Sequence, residues 1–143
     1  MLAGCYGGGG NDDNKQKSPP SIVWQKSLGG SSADYANSIQ QTSDNGYVIA
    51  GYSYSNDDDI TDHRGYTGIS DFWIVKLDEN GDIEWKKTLG GSAGDVATSI
   101  QQTNDDGYIV AGYSASTDGD ITGHHGSVGA ADYWIVKLDK DGV

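Results

Sequence analysis

Gly46-Tyr47-Val48-Ile49-Ala50-Gly51-Tyr52-Ser53 returns 61 residues later as Gly107-Tyr108-Ile109-Val110-Ala111-Gly112-Tyr113-Ser114. Read outward from these segments, Ile22 to Asp82 aligns with Ile83 to Val143 without a gap, and 37 of the 61 pairs are identical. Self-similarity at a fixed period marks a repeated supersecondary unit, so the fold question becomes what one unit is. The quoted stretch is dense in β-branched and aromatic residues, which favour a pleated strand, and its apolar richness fits a strand covered on both faces.

Three more strands flank it in each unit. In Ile83-Glu84-Trp85-Lys86-Lys87-Thr88-Leu89, Ile83, Trp85, Lys87 and Leu89 alternate with polar residues at a period of two, and Ile22 to Leu28 is its first copy. Ser38 to Thr42 and Ser99 to Thr103 read as short strands. In Trp73-Ile74-Val75-Lys76-Leu77, Trp73, Val75 and Leu77 share one face, and Trp134 to Leu138 repeats it. Ser43-Asp44-Asn45-Gly46, Asn104-Asp105-Asp106-Gly107 and Asp78-Glu79-Asn80-Gly81 are hairpin turns, with Asp bonding the backbone ahead and Gly expected to take a positive φ. The Trp residues fall in phase with the apolar pattern and are expected in the core. One long connection of about 17 residues follows Ser53 and again Ser114.

Four short antiparallel strands per repeat predict an all-β fold of two four-stranded propeller-type blades, with a small β-sandwich or barrel as the alternative. The lone strand at 22–28 and the Trp134 to Leu138 strand at the other end suit a blade completed across the termini. Propellers close with about 4 to 8 blades. The expectation is therefore additional repeats in a longer chain, a homo-oligomer of this one, or two repeats packed as a closed body. The sequence stops in step with a hairpin turn, which predicts an array that continues. The organisation is a tether at 1–21, repeat 1 at 22–82 and repeat 2 at 83–143.

Composition narrows the function. The formal net charge is −12 over 143 residues, from 21 acidic and 9 basic residues, which argues against nucleic acid as a partner. Nineteen of the acids are Asp and 22 residues are Gly, a balance that favours turns over helices. No apolar run is long enough for a transmembrane helix. The single cysteine excludes an internal disulfide framework.

That cysteine lies in Leu2-Ala3-Gly4-Cys5, which resembles the lipobox of bacterial lipoproteins. The resemblance implies acylation at Cys5 and a membrane partner reached through that lipid anchor. A signal peptide's basic and apolar regions would precede the box, so the expected chain starts upstream of Met1. Tyr6 to Pro20 is Gly-rich and polar, suiting a tether. The W-x-K-x-L-G-G, D-x-G-Y-x-x-A-G-Y and D-x-W-x-x-K-L-D motifs of 22–143 resemble those of repeat-rich cell-surface lipoproteins of Gram-negative bacteria. That likeness implies a propeller-like architecture at the cell envelope, on the outer membrane or cell surface, and little chemistry.

The long loops are where a ligand is expected. Asp57, Asp59 and Thr61 in the first match Asp118, Asp120 and Thr122 in the second. Closely spaced carboxylates with a Thr oxygen are candidate Ca2+ ligands, though not an EF-hand, whose loop of about 12 residues closes on a bidentate Glu. The competing reading is a solvated turn with Asx caps. One His per loop plus His125 is too sparse for tetrahedral zinc. Tyr52, Tyr54, Tyr66 and Tyr113 are candidate exposed aromatics for a glycan or protein ligand.

No G-x-S-x-G elbow is present, Cys5 has no placed base, and nothing in the sequence marks one Asp pair for acid–base work. The expectation is a non-enzymatic surface lipoprotein domain for display, adhesion or assembly, with no cofactor beyond the candidate Ca2+. The alternatives are a Ca2+-dependent carbohydrate-binding module, or a fragment of a larger enzyme whose site lies elsewhere.

Overall fold

The computed structural model describes residues 19–66, 68–127 and 129–143, and every helix or strand among them is a strand. Cys5 and most of the 1–21 segment lie outside the described residues. The strands are β1 (Asp34–Gln41), β2 (Tyr47–Ser53), β3 (Asp71–Leu77), β4 (Ile83–Leu89), β5 (Asp95–Gln102), β6 (Tyr108–Ser114) and β7 (Asp132–Leu138). They form two antiparallel sheets, in the orders β1-β2-β3-β4 and β5-β6-β7, and neither closes into a barrel.

The first sheet takes its fourth strand from the second repeat. The tight turn at 78–82 folds β4 straight back onto β3, with Phe72 opposite Leu89 and Lys76 opposite Trp85. The second repeat's opening Trp strand thus completes the sheet of the first repeat. This corrects the expected pair of four-stranded sheets to four and three. Among the described residues, 22–28 form no ladder. They lie across the face of the first sheet instead. Trp24 meets Tyr47 edge-on at 5.7 Å, and Leu28 packs on the Trp73, Val75 and Leu77 cluster.

β1 and β5 start four residues earlier than the periodicity suggested, because each contains a bulge at which the register slips, between Ala36 and Ser38 and between Ala97 and Ser99. The hairpin turns depart from expectation in one respect. The positive φ falls on Asn45 (69°) and Asp106 (62°) rather than on Gly46 and Gly107. A short side chain that bonds the local backbone tolerates that conformation. In the 78–82 turn Gly81 does carry it, at 85°.

The two sheets stack face to face. Val48, Ala50, Phe72, Ile74 and Leu89 of the first meet Ala97, Ile100, Tyr108, Val110 and Leu138 of the second in one buried cluster. Phe72 fits against Trp134 with ring centroids 4.6 Å apart. Fully burying a side chain such as Phe72 or Ile74 contributes about 1.5–3 kcal/mol. A second cluster of Ile60, Trp73, Val75 and Leu77 lies on the opposite face of the first sheet, under residues 22–28. Trp73 is buried as expected, Trp85 and Trp134 are half-buried, and Trp24 is exposed.

Polar side chains tie the edge strands β1 and β5 together. Asn37 Nδ2 donates to Ala97 O (2.7 Å), Gln102 N donates to Gln40 Oε1 (2.7 Å), and Ile100 N donates to Ser38 Oγ (3.3 Å). The side chains of β1 thereby satisfy two backbone donors and one acceptor on the edge of β5, which would otherwise be open.

Candidate functional site

The long loops fold back onto the Gly-Gly-Ser segment that ends each Trp strand. Ser31 N donates to Asp57 Oδ1 (2.8 Å) and Gly29 N to Asp59 Oδ2 (3.1 Å). The second repeat copies both bonds, Ser92 N to Asp118 Oδ1 (2.7 Å) and Gly90 N to Asp120 Oδ2 (3.2 Å). The Ser31 side chain and amide hold the Asp57 carboxyl below its ordinary range, and Ser92 does the same for Asp118. All four candidate Ca2+ carboxylates therefore serve as caps on backbone donors of their own repeat. Thr61 and Thr122 are exposed. No cluster of three or more His, Cys, Asp or Glu with metal-binding geometry occurs among the described residues. Arg64 Nε reaches Asp120 Oδ2 at 3.0 Å, linking the two loops.

Three tyrosines cluster at the loop end of the first sheet. Tyr35 and Tyr52, cross-strand partners in β1 and β2, stack with centroids 4.8 Å apart, and Tyr54 meets Tyr52 edge-on at 5.8 Å. Partial burial, then the neighbouring Tyr54 and Tyr35 hydroxyls, push the Tyr52 phenol up. Tyr66 and Tyr113 are exposed and make no ring pairing among the described residues. Tyr35 escaped the sequence reading because β1 begins upstream of the apolar signal. Val96 and Ala115 replace Tyr35 and Tyr54 in the second repeat, so the cluster belongs to the first alone. Beside it, Tyr54, Asn56, Asp57, His63, Ser31 and Ser32 line a hollow of about 180 Å³.

Between the sheets at the same end lie two buried carboxylates, Asp71 and Asp95. Asp71 Oδ2 accepts from Arg64 N at 2.6 Å, and Asp95 Oδ2 from Gly91 N at 2.9 Å and Ser116 Oγ at 3.0 Å. Burial pushes both carboxyls up. The Arg64 amide and His63 oppose this at Asp71, and Ser114, Gly91 and Ser116 oppose it at Asp95. Raised carboxyls in a cleft would suggest general acids. Both are shut away from solvent between the sheets.

At the opposite end, Lys76 is buried and its Nζ pairs with Glu84 (2.6 Å) and Asp44 (2.9 Å). Burial pulls this ammonium down, and the two ion pairs more than reverse it. Lys76, Asp44, Glu84, Trp85, Tyr108 and Lys140 line a polar hollow of about 480 Å³. The Asp44 carboxyl is held at about 2 by the Thr42 hydroxyl and Lys76, and that of Asp105 at about 2 by Thr103 and Lys137.

These shifts set a two-limbed pH profile. A depressed carboxyl stabilises the fold above its unfolded value of 3.8 and loses that contribution as pH falls toward about 2. A raised carboxyl does the reverse: its contribution is present at low pH and is lost as pH rises above 3.8 through the folded value. Melting temperature is expected to climb from pH 2 to about 4 and then decline as Asp71 and Asp95 ionise. Calorimetry across that range checks it. Asp44→Asn should flatten the acid limb, and Asp95→Asn the declining one.

No protein-family model matches the chain, and no curated protein matches it.

Proposed function

We propose that the chain is a non-enzymatic repeat domain held at the bacterial cell surface through an acylated Cys5 and used for display, adhesion or assembly. One observation carries this reading. In both repeats the loop carboxylates cap their own backbone and the raised carboxyls are buried, while Tyr35, Ile39, Tyr113, Tyr133 and Ile135 are exposed on the strands. The sheets suit propeller-type blades. Their strands follow chain order, their faces stack, and the second unit hands its first strand to the sheet of the first. Expressed with its native upstream sequence in a Gram-negative host, the protein is expected to take radiolabelled palmitate into Cys5. Globomycin should leave the precursor unprocessed. Unchanged labelling of Cys5→Ser, or full processing under globomycin, would refute the anchor.

The hollow beside the tyrosine cluster favours a second reading, a Ca2+-dependent carbohydrate-binding module. Tyr54 offers a stacking ring there, and Asp57 and Asn56 offer oxygens. Titration calorimetry should then register Ca2+, and EDTA should lower the melting temperature. No heat and no shift would dismiss the metal.

A further inference from the structure

We infer that a second copy of this chain docks head to tail on the first, repeating between chains the contact that joins the two sheets within one. The internal contact is a knob in a hole. Phe72 projects from the first sheet into a recess of the second, where a Cβ on Gly112 would stand 2.7 Å from Phe72 Cζ. Trp134 meets the ring, and Leu89, Ala97 and Val136 belong to the same buried cluster.

Shifted by 61 residues, both parts recur unused, one at each end of the stack. The knob is Tyr133, aligned with Phe72 and 95% exposed. The hole is a recess of about 310 Å³ on the outer face of the first sheet. It is lined by Leu28, Ala36, Gly51, Trp73 and Val75, the counterparts of the residues that receive Phe72. The flanking positions agree. Ile135 is 64% exposed where its counterpart Ile74 is buried, and Ile39 is 63% exposed where Ile100 is buried.

The polar ladder has a free copy as well. Ser38 and Gln40 accept the amides of Ile100 and Gln102. Their counterparts Ser99 and Gln101 are exposed and identical in type, aligned to accept the Ile39 and Gln41 amides of a second copy. Among the described residues, β7 also has an open edge where β3 has β4, and residues 22–28 have no ladder partner. In the register of β3 and β4, Leu28 of the second copy falls opposite Tyr133. A heterologous contact of this kind builds a ring or a filament, not an isologous dimer.

This inference rests on the assembly part of the proposed function and is tested apart from the anchor. Light scattering on the full non-acylated chain, under reducing conditions, should show mass rising with concentration above 15.1 kDa. Tyr133→Asp blocks the knob and Ala36→Arg blocks the hole. Both positions are exposed, so each variant should keep the wild-type melting temperature measured at high dilution and stay monomeric at every concentration. Mixed in equal amounts, the two should form a 1:1 dimer and nothing larger, because one intact hole meets one intact knob. A wild-type chain that stays monomeric, a variant that still assembles, or a mixture that fails to pair would overturn the inference. Palmitate entering Cys5 of a monomeric chain would leave the anchor standing, and an assembling but unlabelled chain would do the opposite.

Discussion

Phe72→Ala is expected to lower the unfolding free energy by about 3–5 kcal/mol, the range for emptying a well-packed aromatic site. Phe72 is fully buried between the sheets, against Trp134 and the backbone of Gly112. β5 and β6 hold both walls of the recess, so collapse around the cavity is restricted and the cost belongs at the upper end. Tyr133→Ala is the internal control. It occupies the aligned position in the second repeat, on the edge strand β7, and its ring is exposed. At high dilution, where mass action favours the single chain, it should change stability by less than about 0.5 kcal/mol. Urea unfolding of both variants measures the difference. Similar losses for the two would mean that the sheets do not stack in this way.

Gly51→Ala and Gly112→Ala are expected to cost at least the roughly 1–3 kcal/mol typical of overpacking. A methyl at Gly51 would collide with the Tyr35 carbonyl, and one at Gly112 with the Val96 carbonyl. These neighbours are backbone atoms held by the bulges in β1 and β5, so no side-chain rotation relieves the clash. Gly112→Ala carries a further penalty, because the methyl also meets Phe72. Thermal melts should rank Gly112→Ala below Gly51→Ala, and both below wild type.

The repeat was legible because its spacing is constant. Strand pairing follows from tight turns that sequence marks well, so β2, β3 and β4 lie where period-two alternation placed them. The full length of β1 and β5 was not legible. Their first residues are Asp34, Tyr35 and Ala36 and their copies, and they pair through a bulge that no periodicity encodes. That β4 serves the first sheet was legible in the Asp78-Glu79-Asn80-Gly81 turn, which joins it directly to β3. The loops were legible in composition and not in role. Asp57 and Asp59 look alike as ligands and as caps, and only the nearby Ser31 and Gly29 amides distinguish the two. Asp71 read only as a structural strand-opening residue, and Asp95 was not singled out, for a related reason. A strand-opening Asp reads as a turn residue until the neighbouring sheet buries it.

The handing of a strand from one repeat to the sheet of the other is the centre of this account, and native-state hydrogen exchange on the Tyr133→Asp chain tests it most directly. Alternate amides of Ile83–Leu89, hydrogen-bonded to β3, should open only with the global unfolding of the sheet, while the amides of 22–28 should exchange freely. Strong protection across 22–28 with free exchange across 83–89 would contradict it.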